Sequence, residues 1–77
     1  MTAQELRNHP EYKVCMDKIK AYRKGFEFTL EWSQIPRAKA NALKIVMQDA
    51  YEQGLVDIIA FGLALDGTET SRTFKKL

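Results

Sequence analysis

Cysteine, histidine and tryptophan each occur once in this chain of 77 residues, proline twice and glycine four times. The single thiol, Cys15, excludes an intrachain disulfide and fits a reducing compartment or a place in a core. One cysteine and one histidine, without Cys-x-x-Cys or His-x-x-x-His spacing, exclude a structural zinc site built by one chain. The glycines Gly25, Gly54, Gly62 and Gly67 stand alone, so no phosphate-cradling loop is present and no cofactor is expected. No apolar run approaches the ~18 residues of a membrane span. The N-terminal MTAQELRNHPEYK lacks the basic-then-apolar arrangement of a secretory signal. These absences lead us to expect a cytoplasmic protein without membrane contact.

Catalytic equipment is equally sparse. His9 precedes Pro10 and reads as a helix-entry group, whereas a general base wants a partnered imidazole. Cys15 falls on the apolar stripe of its helix, and His9 is six residues away on a different face, so a packed core cysteine is the expected reading. Glu27 and Glu31 share the outer face of a strand ~13 Å apart, too wide for paired carboxylate chemistry. Trp32 and Tyr22 suggest base stacking, but the regular alternation around Trp32 assigns it to a core. An enzyme is therefore not expected.

What the chain does have is patterning. Apolar content of 45% and charged content of 29% are those of an ordinary globular domain, and the length allows one. Thr2 and Glu5 fit a capping box opening a short helix over 3–7. Pro10 opens a second helix, roughly 10–22, with Tyr12, Cys15, Met16, Ile19 and Tyr22 on one stripe and Gly25 as its stop. Residues 26–32 alternate: Phe26, Phe28, Leu30 and Trp32 on one face, Glu27, Thr29 and Glu31 on the other, which predicts a half-buried strand. With Ser33 as its cap, a third helix over 36–53 carries Leu43, Val46, Met47, Ala50 and Tyr51 inward and Arg37, Asn41, Lys44, Gln48 and Glu52 outward, and Gly54 ends it.

Residues 55–65 predict a second strand. Ile59, Phe61, Leu63 and Leu65 are large and share a face; Ile58, Ala60, Gly62 and Ala64 are its smaller reverse, and both faces are expected to be covered. Asp66-Gly67 is a turn signal. The tail 68–77 is readable as a third strand or as a short helix. The expected fold is α+β: one domain, 1–77, in which two main helices pack on a small, mainly antiparallel sheet of two or three strands. Its expected core is Tyr12, Met16, Ile19, Phe26, Phe28, Leu30, Trp32, Leu43, Val46, Met47, Ala50, Ile59, Phe61 and Leu63.

The third helix has its charges reversed. Arg37, Lys39 and Lys44 occupy its first half, where the helix dipole is positive, and Asp49 and Glu52 its last turns; each such surface charge costs roughly 0.3–1 kcal/mol at low salt. Cations tolerated there are expected to face an anionic partner. From Ile35 onward, IPRAKANALKIVMQDAYEQGLV followed by ALDGTETSRTF resembles the recognition helix and wing of winged helix-turn-helix domains. Between the first strand and Pro36 the chain has only Ser33-Gln34-Ile35, so on this likeness residues 10–22 take the supporting role. The resemblance implies that Arg37, Lys39, Ala40, Asn41 and Lys44 face a DNA major groove.

Two functions are expected from these features. The leading expectation is a non-enzymatic protein-interaction module: an adaptor, an inhibitor or an accessory protein of a mobile element. It would bind a protein partner or itself through strand 55–65, with Ile58, Ala60, Gly62 and Ala64 as the interface and a dimer as one outcome. The alternative is a winged-helix-like DNA-binding protein that contacts nucleic acid through Arg37, Lys39, Asn41 and Lys44, with Arg72 and Lys75 on the wing or tail. A net charge of only +2 favours the first, and the reversed helix favours the second.

Overall fold

A computed structural model describes residues 2–77. Helix α1 (Ala3–Arg7) is opened by Thr2, whose Oγ1 accepts the Glu5 N–H at 3.1 Å. Helix α2 (Pro10–Ala21) begins at a proline that needs no N–H partner, and His9 caps it by accepting the Glu11 N–H on Nδ1 at 3.1 Å. Gly25 then turns the chain with φ of 86°, a conformation that L side chains avoid. Strand β1 (Glu27–Glu31) follows, then a 3₁₀ turn (Trp32–Gln34) and helix α3 (Arg37–Glu52). Strands β2 (Val56–Leu63) and β3 (Glu69–Lys76) complete the order, and the turn between them is closed by Ala64 N–H to Thr68 O at 2.8 Å and Gly67 N–H to Ala64 O at 2.9 Å. This is the expected α+β architecture: helices on a three-stranded antiparallel sheet, and the tail is a strand.

The sheet order is β1-β3-β2, so the tail is the central strand and both β1 and β2 are edges. The ends are sewn together by the backbone: Gly25 N–H donates to Lys76 O, Lys76 N–H to Phe26 O, and Leu77 N–H to Leu55 O, at 2.8–2.9 Å. On the inner face Phe28, Phe74 and Ile58 lie side by side across the three strands. Helices α2 and α3 cover them, and Met16, Ile19, Val46, Met47, Ala50, Val56 and Phe74 form the buried cluster. The outer face is open: Thr29 and Thr73 sit opposite each other with their hydroxyls 2.9 Å apart, flanked by Glu27, Lys75 and Asp57.

Several local expectations are corrected. Trp32 leaves β1 and enters the 3₁₀ turn, although it remains buried. Ser33 does not cap α3: Pro36 holds the capping position without a side-chain hydrogen bond. Phe26 is on the surface, in a cluster with Tyr22 and Phe28 at ring separations of 4.9–6.0 Å.

The larger correction concerns β2. Its register against β3 shifts between Ile58 and Ala60, leaving Ile59 as the extra residue of a bulge, and again between Gly62 and Leu63. The first bulge breaks the alternation, so Ile58 faces the core and Ile59 does not. Ile59, Phe61 and Leu63 are not core at all; Phe61 and Leu63 are 59% and 66% exposed. The core is completed instead by Leu6, Ala40, Val56 and Phe74. Among the described residues no helix is long and apolar enough to cross a membrane.

Candidate nucleic-acid interface

Helix α3 is oriented by its apolar stripe. Val46, Met47 and Ala50 are buried in the cluster with α2 and the sheet, and Ala40 is buried as well, which turns Arg37, Asn41, Lys44 and Gln48 outward at positions i, i+4, i+7 and i+11. All four are exposed. The first turn holds no acid and no side-chain cap, so its free N–H groups and partial positive charge add to Arg37 and Lys39. Lys39 lies off the stripe, at the rim of an apolar groove of about 590 Å³ between α2 and α3 that also takes in Leu6, His9, Tyr12, Cys15 and Leu43.

Among the described residues, ion pairs join Arg7 to Asp49, Lys13 to Asp17 and Arg72 to Glu69. Arg37, Lys39 and Lys44 take part in none of them. The acid at the far end of the helix is different. Asp49 is 7% exposed and accepts Arg7 Nε and Nη2 at 2.8 and 2.9 Å and the Tyr12 hydroxyl at 2.6 Å. The Arg7 hydrogen bonds hold its carboxyl below the usual carboxylate range in spite of burial, and burial together with Asp49 pushes the Tyr12 phenol up. The reversed charge thus divides: Asp49 is an internal clamp on α1 and α2, whereas the basic first half faces outward, as does Glu52 at the far end, which accepts Gln48 Nε2 at 3.2 Å.

A chain of contacts joins α3 to the β2–β3 hairpin. Lys44 Nζ stands 5.2 Å from the centroid of the Trp32 ring. Trp32 donates Nε1–H to Glu69 Oε2 at 2.9 Å, and Glu69 Oε1 accepts Arg72 Nε and Nη2 at 3.0 and 2.8 Å. The Arg72 guanidinium in turn lies 5.1 Å from the Phe61 ring centroid. Trp32 is therefore unavailable for stacking on a base, and Tyr22 is engaged with Phe26 and Phe28.

The structure brings together Arg37, Asn41 and Lys44, places Lys39 on another side of the helix at the α2–α3 groove, and parts them from the two tail cations. Arg72 adjoins Lys44 through Trp32, but its charge is taken by Glu69. Lys75 follows the buried Phe74 and so points from the outer face, set between Glu27 and Asp57 on the neighbouring strands. The expected protein interface is also dispersed. Ile58 packs inward, and Ala60 is exposed on the outer face opposite Thr73. Gly62 lies so close to the Ser71 and Thr70 hydroxyls that a Cβ there would collide with Ser71 Oγ, and Ala64 belongs to the turn. The exposed apolar residues are their neighbours Ile59, Phe61, Leu63 and Leu65.

Sequence reasoning missed the Trp32–Glu69–Arg72 link. Its one available signal was the i, i+3 pair Glu69 and Arg72 in a tail readable as a helix. Among the described residues no group of three or more His, Cys, Asp or Glu is placed to hold a metal ion. Compared with protein-family models, curated proteins and solved structures, the chain has no match.

Proposed function

We propose that this chain is a small DNA-binding module of winged-helix-like arrangement, in which α3 enters the major groove. The observation that carries the reading is the outward stripe of Arg37, Asn41 and Lys44, whose cations take part in no ion pair among the described residues. Arg and Lys match guanine edges, Asn and Gln match adenine edges, and cations in the same place hold phosphates. A phosphate partner also supplies the negative charge that the N-terminal half of α3 lacks. The order helix, strand, helix, strand, turn, strand, with the last strand between the other two, supports the likeness, as does α2 packed against α3 in the supporting role. A cytoplasmic setting agrees with this role and with the free thiol of Cys15.

The test is fluorescence-anisotropy titration of a labelled DNA duplex at two salt concentrations. With Arg37, Lys39 and Lys44 on phosphates, log K falls against log salt with a slope of about −3, and each cation removed lessens it by about 1. Arg37→Glu with Lys44→Glu abolishes binding, and both residues are exposed enough for the fold to survive. No binding at low salt, or binding that survives the double substitution, refutes the reading.

A second reading, an interaction module with a protein partner, is favoured by the apolar side chains exposed along β2 and its turn: Phe61 and Leu63 on one face, Ile59 on the other and Leu65 beyond the strand. Large apolar side chains exposed on an edge strand are the kind of surface that a protein partner covers.

A further inference from the structure

Among the described residues Phe61 is the most exposed aromatic side chain, at 59%, and the DNA reading does not use it. The other rings are occupied or misplaced. Trp32 and Phe74 are buried, Tyr12 is tied to Asp49, and Tyr22, Phe26 and Phe28 pack on one another. Tyr51 is exposed but lies about two turns beyond Lys44, at the acidic end of α3. The register places Phe61 on the helix-facing side of the sheet: it stands opposite Arg72, and Arg72 opposite Leu30, in one row across the strands. Leu63, the next residue on that side, is 66% exposed. A run of contacts leads from the ring back to α3: Arg72 over Phe61, Glu69 holding Arg72, Trp32 donating to Glu69, and Lys44 over the indole. Phe61 and Leu63 therefore border the surface built by Arg37, Asn41 and Lys44, and the Glu69–Arg72 pair makes the ground between them neutral.

An intact duplex has no use for this ring. Its bases are stacked on one another, and it presents groove edges and charged phosphates, which give an aromatic ring no face to stack on. An unpaired base presents a flat apolar face, and its stacking on an aromatic side chain tolerates any sequence. Drawing a base out of a duplex costs free energy that an already unpaired nucleotide does not. We propose that the DNA preferred by this module carries an unpaired nucleotide beside its duplex. Arg37, Asn41 and Lys44 hold the duplex, and a base of the single strand stacks on Phe61, with Leu63 against its edge. This preference rests on the DNA reading above and narrows its substrate to a junction of duplex and single strand. Arg72, fixed by Glu69, packs on the ring and limits its movement, so less freedom is lost when a base settles there.

Fluorescence anisotropy of the whole chain with labelled DNAs of matched sequence tests this: a blunt duplex, the same duplex with a short single-stranded overhang, and the single strand alone. The overhang duplex binds about tenfold more tightly than the blunt one, as one stacked base provides. Phe61→Leu keeps apolar bulk but has no flat face, and it binds the two duplexes alike; Phe61→Tyr, which keeps the face, keeps the difference. The side chain is exposed, so the circular dichroism spectra of both variants match that of the wild type. Equal affinity of the wild type for blunt and overhang duplexes overturns the proposal while the DNA reading stands. A difference that survives Phe61→Leu overturns it as well and leaves the ring to the protein partner of the second reading. So does a single strand that binds as tightly alone as with its duplex, since α3 then gains nothing from the paired part. Where none of these DNAs binds, the DNA reading itself falls, and the junction preference with it.

Discussion

Tyr12 donates its hydroxyl to Asp49 Oδ2 at 2.6 Å, on the same carboxylate that Arg7 grips with two nitrogens. One buried acid thereby fastens α1 and α2 to the last turns of α3. Without it the Tyr12 hydroxyl and the Arg7 guanidinium lose their acceptor, and α1, only five residues long, loses its charged tether. Asp49→Ala is expected to lower stability by about 2 kcal/mol, in the range for hydrogen bonds to a charged group. Urea denaturation followed by circular dichroism measures it, with an unchanged m-value showing that the same surface unfolds.

The same carboxylate is buried, unlike those of Asp17 and Asp66, whose pKa values are also lowered, and it is expected to contribute most to the acid limb of the fold. Its folded pKa lies below the usual value, chiefly through the Arg7 hydrogen bonds, with Tyr12 assisting against burial. A depressed carboxyl contributes stability that is complete above its unfolded pKa of about 4 and disappears as pH falls through the folded value. Stability is therefore flat from pH 5 to 7 and declines on acidification below about pH 4. In Asp49→Asn the plateau is lower and the decline shallower. An acid limb of equal steepness in both proteins contradicts the assignment of that limb to Asp49.

Phe74 and Phe61 test which phenylalanines belong to the core. Phe74 is fully buried at the centre of the sheet, stacked on Phe28 at 5.6 Å, whereas Phe61 is 59% exposed. Phe74→Ala is expected to cost about 3–5 kcal/mol and to abolish folding in a domain of this size. Phe61→Ala stays within about 1 kcal/mol, with the loss of its contact to Arg72 as the main effect. Thermal melts of the two variants side by side decide this.

That pair also marks where the sequence stops being informative. Helical periodicity placed α2 and α3 to within a residue or two, because each presents one apolar stripe to a single partner surface. The alternation of FEFTLEW gave β1 for the same reason. The run LVDIIAFGLAL has no polar face, so period alone could not show that β2 lies at an edge or that a bulge at Ile59 reverses the facing of the residues after it. The tail TETSRTFKKL hides a central strand because one buried aromatic, Phe74, serves as its anchor while its other neighbours are polar. The basic stripe of α3 was legible. The pairing of Arg72 with Glu69 was not, since it depends on the tail being a strand in register with β2.

Glu69 offers the most direct link between this architecture and the proposed role. Its carboxylate holds Arg72 with one oxygen and the single tryptophan with the other, a few ångströms from Lys44 on the α3 surface. Glu69→Gln keeps an oxygen for the Trp32 N–H but removes the charge that neutralises Arg72. The released guanidinium then becomes a further cation beside the stripe of Arg37, Asn41 and Lys44. DNA affinity at low salt is expected to rise several-fold, and the slope of log K against log salt to steepen by up to about 1, as one added phosphate contact requires. Glu69→Ala frees the same cation but also leaves the buried indole N–H without its partner, at a cost of about 1–2 kcal/mol. Tryptophan emission separates the two effects: it stays in place in Glu69→Gln and shifts to the red in Glu69→Ala as Trp32 loosens. If Glu69→Gln binds DNA no more tightly than the wild type while its emission is unchanged, Arg72 lies outside the contact, and the interface ends at α3.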